Sequence, residues 1–120
     1  MAARAVAVGE SYAVSFSGPA NFGYVEDSAQ AFVRSALEIR KGSHTVDVPG
    51  EVVTVEKIVS LLKRIEPKAA SGLSIAGPLL PYPAAPSRRG IERLFPDWKT
   101  TSLEDGFRCT IQLYRKTQSG

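Results

Sequence analysis

The stretch Phe22 to Val33, FGYVEDSAQAFV, decides how the chain is read. It joins a glycine-containing aromatic loop to an acidic helix start. Ala29, Phe32, Val33, Ala36 and Leu37 then recur at i, i+3, i+4, i+7 and i+8, which predicts a helix from about Glu26 to Arg40 with one apolar stripe. Glu26 and Asp27 fall in its first turn, where acidic groups compensate the positive end of the helix dipole. Arg40 and Lys41 suit the other end, and Gly42 is placed to stop it. Phe22 and Tyr24, immediately before the helix, have two readings: packing over apolar neighbours in a core, or lining a ligand cleft.

Working outward, residues 3 to 8 read as the end of a helix stopped by Gly9, as if a longer helix had been truncated. YAVSF (residues 12–16) alternates and reads as a strand, followed by a turn at SGPANFG. HTVDVPG (44–50) sets Val46 and Val48 inward and Thr45 and Asp47 outward, so a strand ending at Pro49-Gly50 is expected, with EVVT as a short extended link. Thr54 is a good N-cap for a helix over 55–65, whose face is Val55, Ile58, Val59, Leu62 and Ile65. Pro67 bars its continuation. LSIAG (73–77) suits a short strand. PLLPYPAAPS (78–87) holds four of the eight prolines and is expected to be extended. Ser87 is a candidate cap for a short helix to Leu94. Thr101-Ser102-Leu103-Glu104 matches a capping box and opens a last helix with Leu103, Phe107, Ile111 and Tyr114 on one face. The expectation is one α/β domain over 1–120, of α+β-like character, with about four helices and three or four short strands.

Composition narrows the function classes. The chain has 120 residues, 43% hydrophobic and 22% charged, an ordinary globular balance. Its net charge of +3 is too small and too scattered to argue for nucleic acid. No apolar run approaches the roughly 20 residues that span a bilayer, so no membrane partner is expected. The N-terminus lacks the features of a signal peptide. The single cysteine, Cys109, allows no intrachain disulfide and no cysteine-based metal site, and makes the cytoplasm the simplest compartment.

Catalytic signatures are absent. There is no G-x-G-x-x-G, G-x-x-x-x-G-K-[ST], G-x-S-x-G or H-E-x-x-H. A hydrolase built on Cys109 and His44, the only histidine, is the weakest of the readings, because a free cysteine inside an amphipathic helix is usually a small buried hydrophobe. Tyr82, between two prolines, is a rigid aromatic that either stacks on a ligand or packs the loop against the body. Arg88 and Arg89 either grip a phosphate or carboxylate or form a solvated helix start.

Three segments, in order, resemble one family. FGYVEDSAQAFVRSAL is similar to an aromatic–Val–x–Asp–x–Ala segment that opens a helix. TVDVPGEVVTVEKIVSLLKRIEP is similar to its strand and following Gly…(S/T)-(V/I)-x-E-(I/L)-(V/A) helix. RLFPDWKTTSLEDGFRCTIQLYRK resembles its closing P-x-(T/S)-x-L-x-(E/D)-G helix. Together these cover nearly the whole chain and look like the C-terminal, substrate-binding part of an extended short-chain dehydrogenase/reductase of the NAD-dependent epimerase/dehydratase type.

The resemblance implies a substrate domain beside a Rossmann domain, with Phe22, Tyr24, Tyr82, Arg88 and Arg89 as candidate substrate-binding residues. The family's dinucleotide fingerprint and Tyr-x-x-x-Lys have no counterpart here, since no tyrosine is followed four residues later by lysine. The resemblance therefore implies that this chain binds no cofactor and performs no catalysis alone; NAD or NADP would belong to the full-length family. The expected chain is a fragment whose partners are a small-molecule substrate and a missing Rossmann half or partner chain. Without that half, one or more apolar helix faces should be exposed. The alternative is a free-standing module that complements or regulates a separate Rossmann-bearing chain. Members acting on sugar nucleotides carry an arginine near the place of Ala20 or Asn21; its absence makes a sugar acid, a hydroxy-carbonyl compound or another small molecule an equal expectation.

Overall fold

The computed structural model describes residues 2–38, 41–81 and 85–118. Its elements in chain order are α1 (Ala2–Val8), β1 (Tyr12–Val14), β2 (Pro19–Phe22), α2 (Val25–Leu37), β3 (Glu51–Thr54), α3 (Val55–Ile65), a 3-10 turn (Ala69–Gly72), β4 (Leu73–Ile75), α4 (Arg89–Leu94) and α5 (Leu103–Gln118). This is a mixed α/β arrangement. The strands form two separate pairs. β1 runs parallel to β4, with Tyr12 opposite Leu73 and Val14 opposite Ile75. β2 runs antiparallel to β3, with Pro19 opposite Thr54 and Phe22 opposite Glu51.

The main core is where α1, α3 and α5 meet the strands. Val6, Val14, Val53, Val55, Ile58, Val59, Leu62, Leu73 and Ile111 form it, and Tyr12, Phe16, Phe22, Leu103 and Phe107 pack around it. The apolar faces read from α3 and α5 are the faces buried here. A smaller core holds Ala31, Ile91 and Phe95, with Val46, Val48, Leu94 and Trp98 at its edge. Arg34 spans this second core. Its guanidinium carbon lies 4.4 Å from the centre of the Phe95 ring, and it bonds Glu38 at 2.6 Å and Asp97 at 2.8 Å.

Several boundaries differ from expectation for physical reasons. The strand near residue 50 is Glu51–Thr54, one step past HTVDVPG. Pro49 has no N–H to offer a ladder, while Val46 and Val48 are partly buried against the small core of Ala31, Ile91 and Phe95. Helix α2 ends at Leu37, where the Glu38 N–H bonds the Arg34 carbonyl; Arg40 lies outside the described residues. Ser87 does not cap α4: its N–H bonds the Asp47 carboxylate at 3.2 Å, and the helix opens at Arg88 without a side-chain cap. Helix α5 is capped one residue later than the expected box. Ser102 Oγ accepts the Asp105 N–H at 3.2 Å and bonds its carboxylate at 2.6 Å, and Glu51 accepts the Leu103 N–H at 3.0 Å. Thr54 does cap α3, accepting the Lys57 N–H at 3.3 Å.

Helix α2 carries the exposed apolar helix face that the sequence reading expected. Its buried residues are Asp27 and Ala31, whereas Val25, Phe32 and Leu37 are 72%, 78% and 76% exposed. The regular apolar stripe therefore faces outward. The shape agrees: the principal extents are 50 × 38 × 18 Å, with a radius of gyration of 16.3 Å, against about 14 Å for a spherical domain of this length. A thickness of 18 Å is barely two layers of packed secondary structure. The surface is 7978 Å², where a compact monomer of this mass exposes about 6,300 Å².

Candidate functional site

Phe22 ends β2, and Tyr24 is the residue from which α2 starts. The turn between them is fixed from outside. Gly50 lies so close to the Phe22 carbonyl that a Cβ there would fall 2.0 Å from its oxygen. The Gly50 N–H is held by the Asn21 side chain at 2.9 Å. Tyr24 then lies on the face of α5 at Gly106, where an added Cβ would come within 3.3 Å of the tyrosine Cβ and ring. The two aromatics thus reach one small cavity of about 140 Å³ with Gly23, Ser102, Leu103, Gly106, Phe107 and Thr110.

A second cavity of about 220 Å³ shares Phe22 and Phe107 and adds Tyr12, Val14, Phe16, Ile58 and the start of α1. Phe16 and Phe22 stack there with ring centres 6.5 Å apart and planes 19° from parallel. Phe22 packs against the main core and lines both cavities.

The ionisable group at the rim is the Tyr24 phenol. Burial pushes its pKa above the ordinary tyrosine value, and the neighbouring Glu26 carboxylate and Cys109 thiol push it the same way. A phenol held protonated is a hydrogen-bond donor at neutral pH. Cys109 itself is exposed, which corrects the expectation of a buried cysteine: α5 turns it out beside Tyr24 and turns Ile111 in.

Asp27 also differs from its expected part. It is buried and accepts two hydrogen bonds from Thr101, from its N–H at 2.8 Å and its hydroxyl at 2.7 Å. Its carboxylate ties the start of α2 to the approach to α5, beyond any effect on the helix dipole.

Arg88 and Arg89 line neither cavity. Arg88 bonds Glu92 at 3.1 Å and the Thr100 hydroxyl at 3.3 Å, and Arg89 is exposed in the first turn of α4. Tyr82 lies outside the described residues. His44 bonds the Lys41 carbonyl at 2.9 Å, so it and Cys109 have different partners. Among the described residues no group of three or more His, Cys, Asp or Glu is placed to hold a metal ion, and no helix is long and apolar enough to cross a membrane.

Sequence reasoning had found Leu103 and Phe107 as a helix face without assigning them to a cavity. Gly106 and Thr110 carried no signal of their own, because a small residue's value here is the room it leaves for Tyr24.

Compared with known proteins, the chain matches no family model, no curated protein and no solved structure.

Proposed function

We propose that this chain is the substrate-binding part of an NAD(P)-dependent epimerase/dehydratase-like oxidoreductase, working against a dinucleotide-binding unit that supplies cofactor, tyrosine and lysine. The observation that carries the reading is the outward apolar stripe of α2 on a thin, wide slab. Val25, Phe32, Val33 and Leu37 stand in water, and full burial of each is worth about 1.5–3 kcal/mol. Patches of this kind mark interfaces. The slab exposes about 1,700 Å² more than a compact monomer would, about twice the roughly 800 Å² that one partner contributes to an ordinary protein interface.

The three segments that carry the resemblance also meet. Asp27 of the first bonds Thr101 of the third, and Glu51 of the second bonds Leu103. Arg64 pairs with Glu104 and Arg115 with Glu66, again joining the second to the third. Segments spread over the chain thus make one wall, with Phe22 and Tyr24 at its surface. The same interface chemistry serves a unit on the same polypeptide or on a separate chain.

The test mixes the chain with a Rossmann unit of this family carrying the glycine fingerprint and Tyr-x-x-x-Lys, followed by gel filtration. The expected result is a one-to-one complex that Phe32→Glu abolishes while the chain stays folded. No complex, or a complex indifferent to Phe32→Glu, would overturn the proposal.

A further inference from the structure

We infer that the paired cavities about Phe22 take an uncharged, ring-sized molecule, an aryl or alicyclic hydroxy or carbonyl compound, and exclude nucleotide-linked substrates. The inference rests on the substrate-binding reading above and names the class of substrate.

Size is the first observation. An apolar cavity of about 150 Å³ holds a benzene ring; the cavities here measure about 140 Å³ and 220 Å³ and adjoin at Phe22 and Phe107. A single or fused ring fits these two cavities, whereas a nucleoside diphosphate would have to extend past Ser102 and Leu103 into the neighbouring groove of about 490 Å³ beside Lys57 and Arg64.

The character of the wall is the second. The stacked Phe16 and Phe22 rings present the flat aromatic surface against which another ring packs offset or edge-on. No charged side chain lines either cavity. The polar groups present are neutral: the Tyr12 and Tyr24 phenols and the hydroxyls of Ser102 and Thr110. Ser102 and Thr110 already donate their hydroxyl protons to the Asp105 carboxylate and the Gly106 carbonyl, so their oxygens accept from a ligand hydroxyl, and none of these groups neutralises a phosphate.

The disposition of the arginines is the third. Arg4, Arg34, Arg64, Arg88, Arg108 and Arg115 are each paired with a carboxylate of the chain. Arg89 and Arg93 lie on α4 and line neither cavity. An anion in either cavity would have no cationic side chain in the lining to pair with.

The test is a nuclear magnetic resonance titration of the full chain with 2-naphthol and indole, and separately with uridine diphosphate and inorganic phosphate. The neutral rings are expected to shift the Phe22, Tyr24 and Phe107 ring resonances saturably. Uridine diphosphate and phosphate are expected to leave them in place. Thr110→Phe, which fills the smaller cavity from α5, should weaken naphthol binding at least tenfold with unchanged circular dichroism. Thr110→Leu is the second variant should phenylalanine disturb the helix, and Arg89→Ala should change nothing. The inference fails if uridine diphosphate competes with naphthol for the same rings, if no neutral ring shifts them, or if both Thr110 variants bind naphthol like the parent. These outcomes are independent of the Phe32→Glu docking result, so failure of the substrate class and failure of the docking reading are told apart.

Discussion

Asp27 and Thr101, 74 positions apart, are joined by two hydrogen bonds of 2.8 and 2.7 Å to a carboxylate that is only 6% exposed. Hydrogen bonds to a charged group contribute about 1.5–3 kcal/mol each, and a buried carboxylate deprived of its donors retains its desolvation cost. Thr101→Val removes the hydroxyl and keeps the N–H, so it should cost about 1.5–2.5 kcal/mol in urea unfolding. Asp27→Ala should cost about 2–4 kcal/mol. The double variant should cost clearly less than the sum, because the hydroxyl matters only through the carboxylate. Strict additivity would show that the pair is not a tie.

Acid should loosen the molecule through three surface carboxylates. Arg115 holds Glu66 below its usual 4.5, Arg108 does the same for Glu104, and Arg34 holds Asp97 below its usual 3.8. A carboxylate depressed in the folded state gives stability that is complete above its unfolded value and is lost as pH falls through the folded one. Unfolding midpoints are therefore expected to be level above pH 4.5 and to drop progressively below it. These bridges are partly or largely exposed, so salt should flatten the drop. Glu66→Gln should shrink it, as followed by thermal unfolding across pH. An unchanged acid slope in that variant would count against the Glu66–Arg115 pair.

Opposite responses are expected from two apolar positions. Phe32 is 78% exposed and Ile111 is 2% exposed. Phe32→Ser should leave stability within about 0.5 kcal/mol, as surface changes do, while lowering the binding of an apolar dye. Ile111→Ala opens the core between α1, α3 and α5 and should cost about 2–5 kcal/mol. A large loss in Phe32→Ser would mean that the stripe is already covered in the isolated chain.

These contrasts show what the sequence could carry. Periodicity located α3 and α5 because the residues recurring at helical spacing there, such as Ile58 with Leu62 and Phe107 with Ile111, meet one another in the core. The same periodicity in α2 was equally legible as a helix, but it does not say what covers a face, and here the stripe is bare. The alternation of Val46 and Val48 was a sound burial signal attached to the wrong structure, since both are partly buried against the small core of Ala31, Ile91 and Phe95 without lying in a strand. At the site, Phe22 and Tyr24 stood out as aromatics before a helix. Their neighbours Gly106 and Thr110 did not, because only the fold brings α5 under Tyr24. The Asp27–Thr101 tie was hidden for the same reason: an aspartate in a first turn already has a local explanation.

Two glycine substitutions separate the wall of the site from its scaffold. A methyl group at Gly50 would sit 2.0 Å from the Phe22 carbonyl oxygen and 2.6 Å from the Gly23 nitrogen. Both are backbone atoms, so the turn before Tyr24 must move. Gly50→Ala should cost more than about 2 kcal/mol, the range of overpacking against atoms that cannot rotate away, and should displace the Phe22 and Tyr24 ring resonances together. At Gly106 the added methyl would meet Tyr24 at 3.3 Å, a contact relieved by a shift of a few tenths of an ångström. Alanine also gains about 0.5–1 kcal/mol over glycine inside a helix. Gly106→Ala should therefore stay within about 1 kcal/mol of the parent while the Tyr24 ring alone shifts and the smaller cavity narrows. Stability and ring shifts measured on both variants would decide the matter. If Gly106→Ala unfolded the chain as readily as Gly50→Ala, Tyr24 would be a rigid part of the core and not a movable wall of a binding cavity.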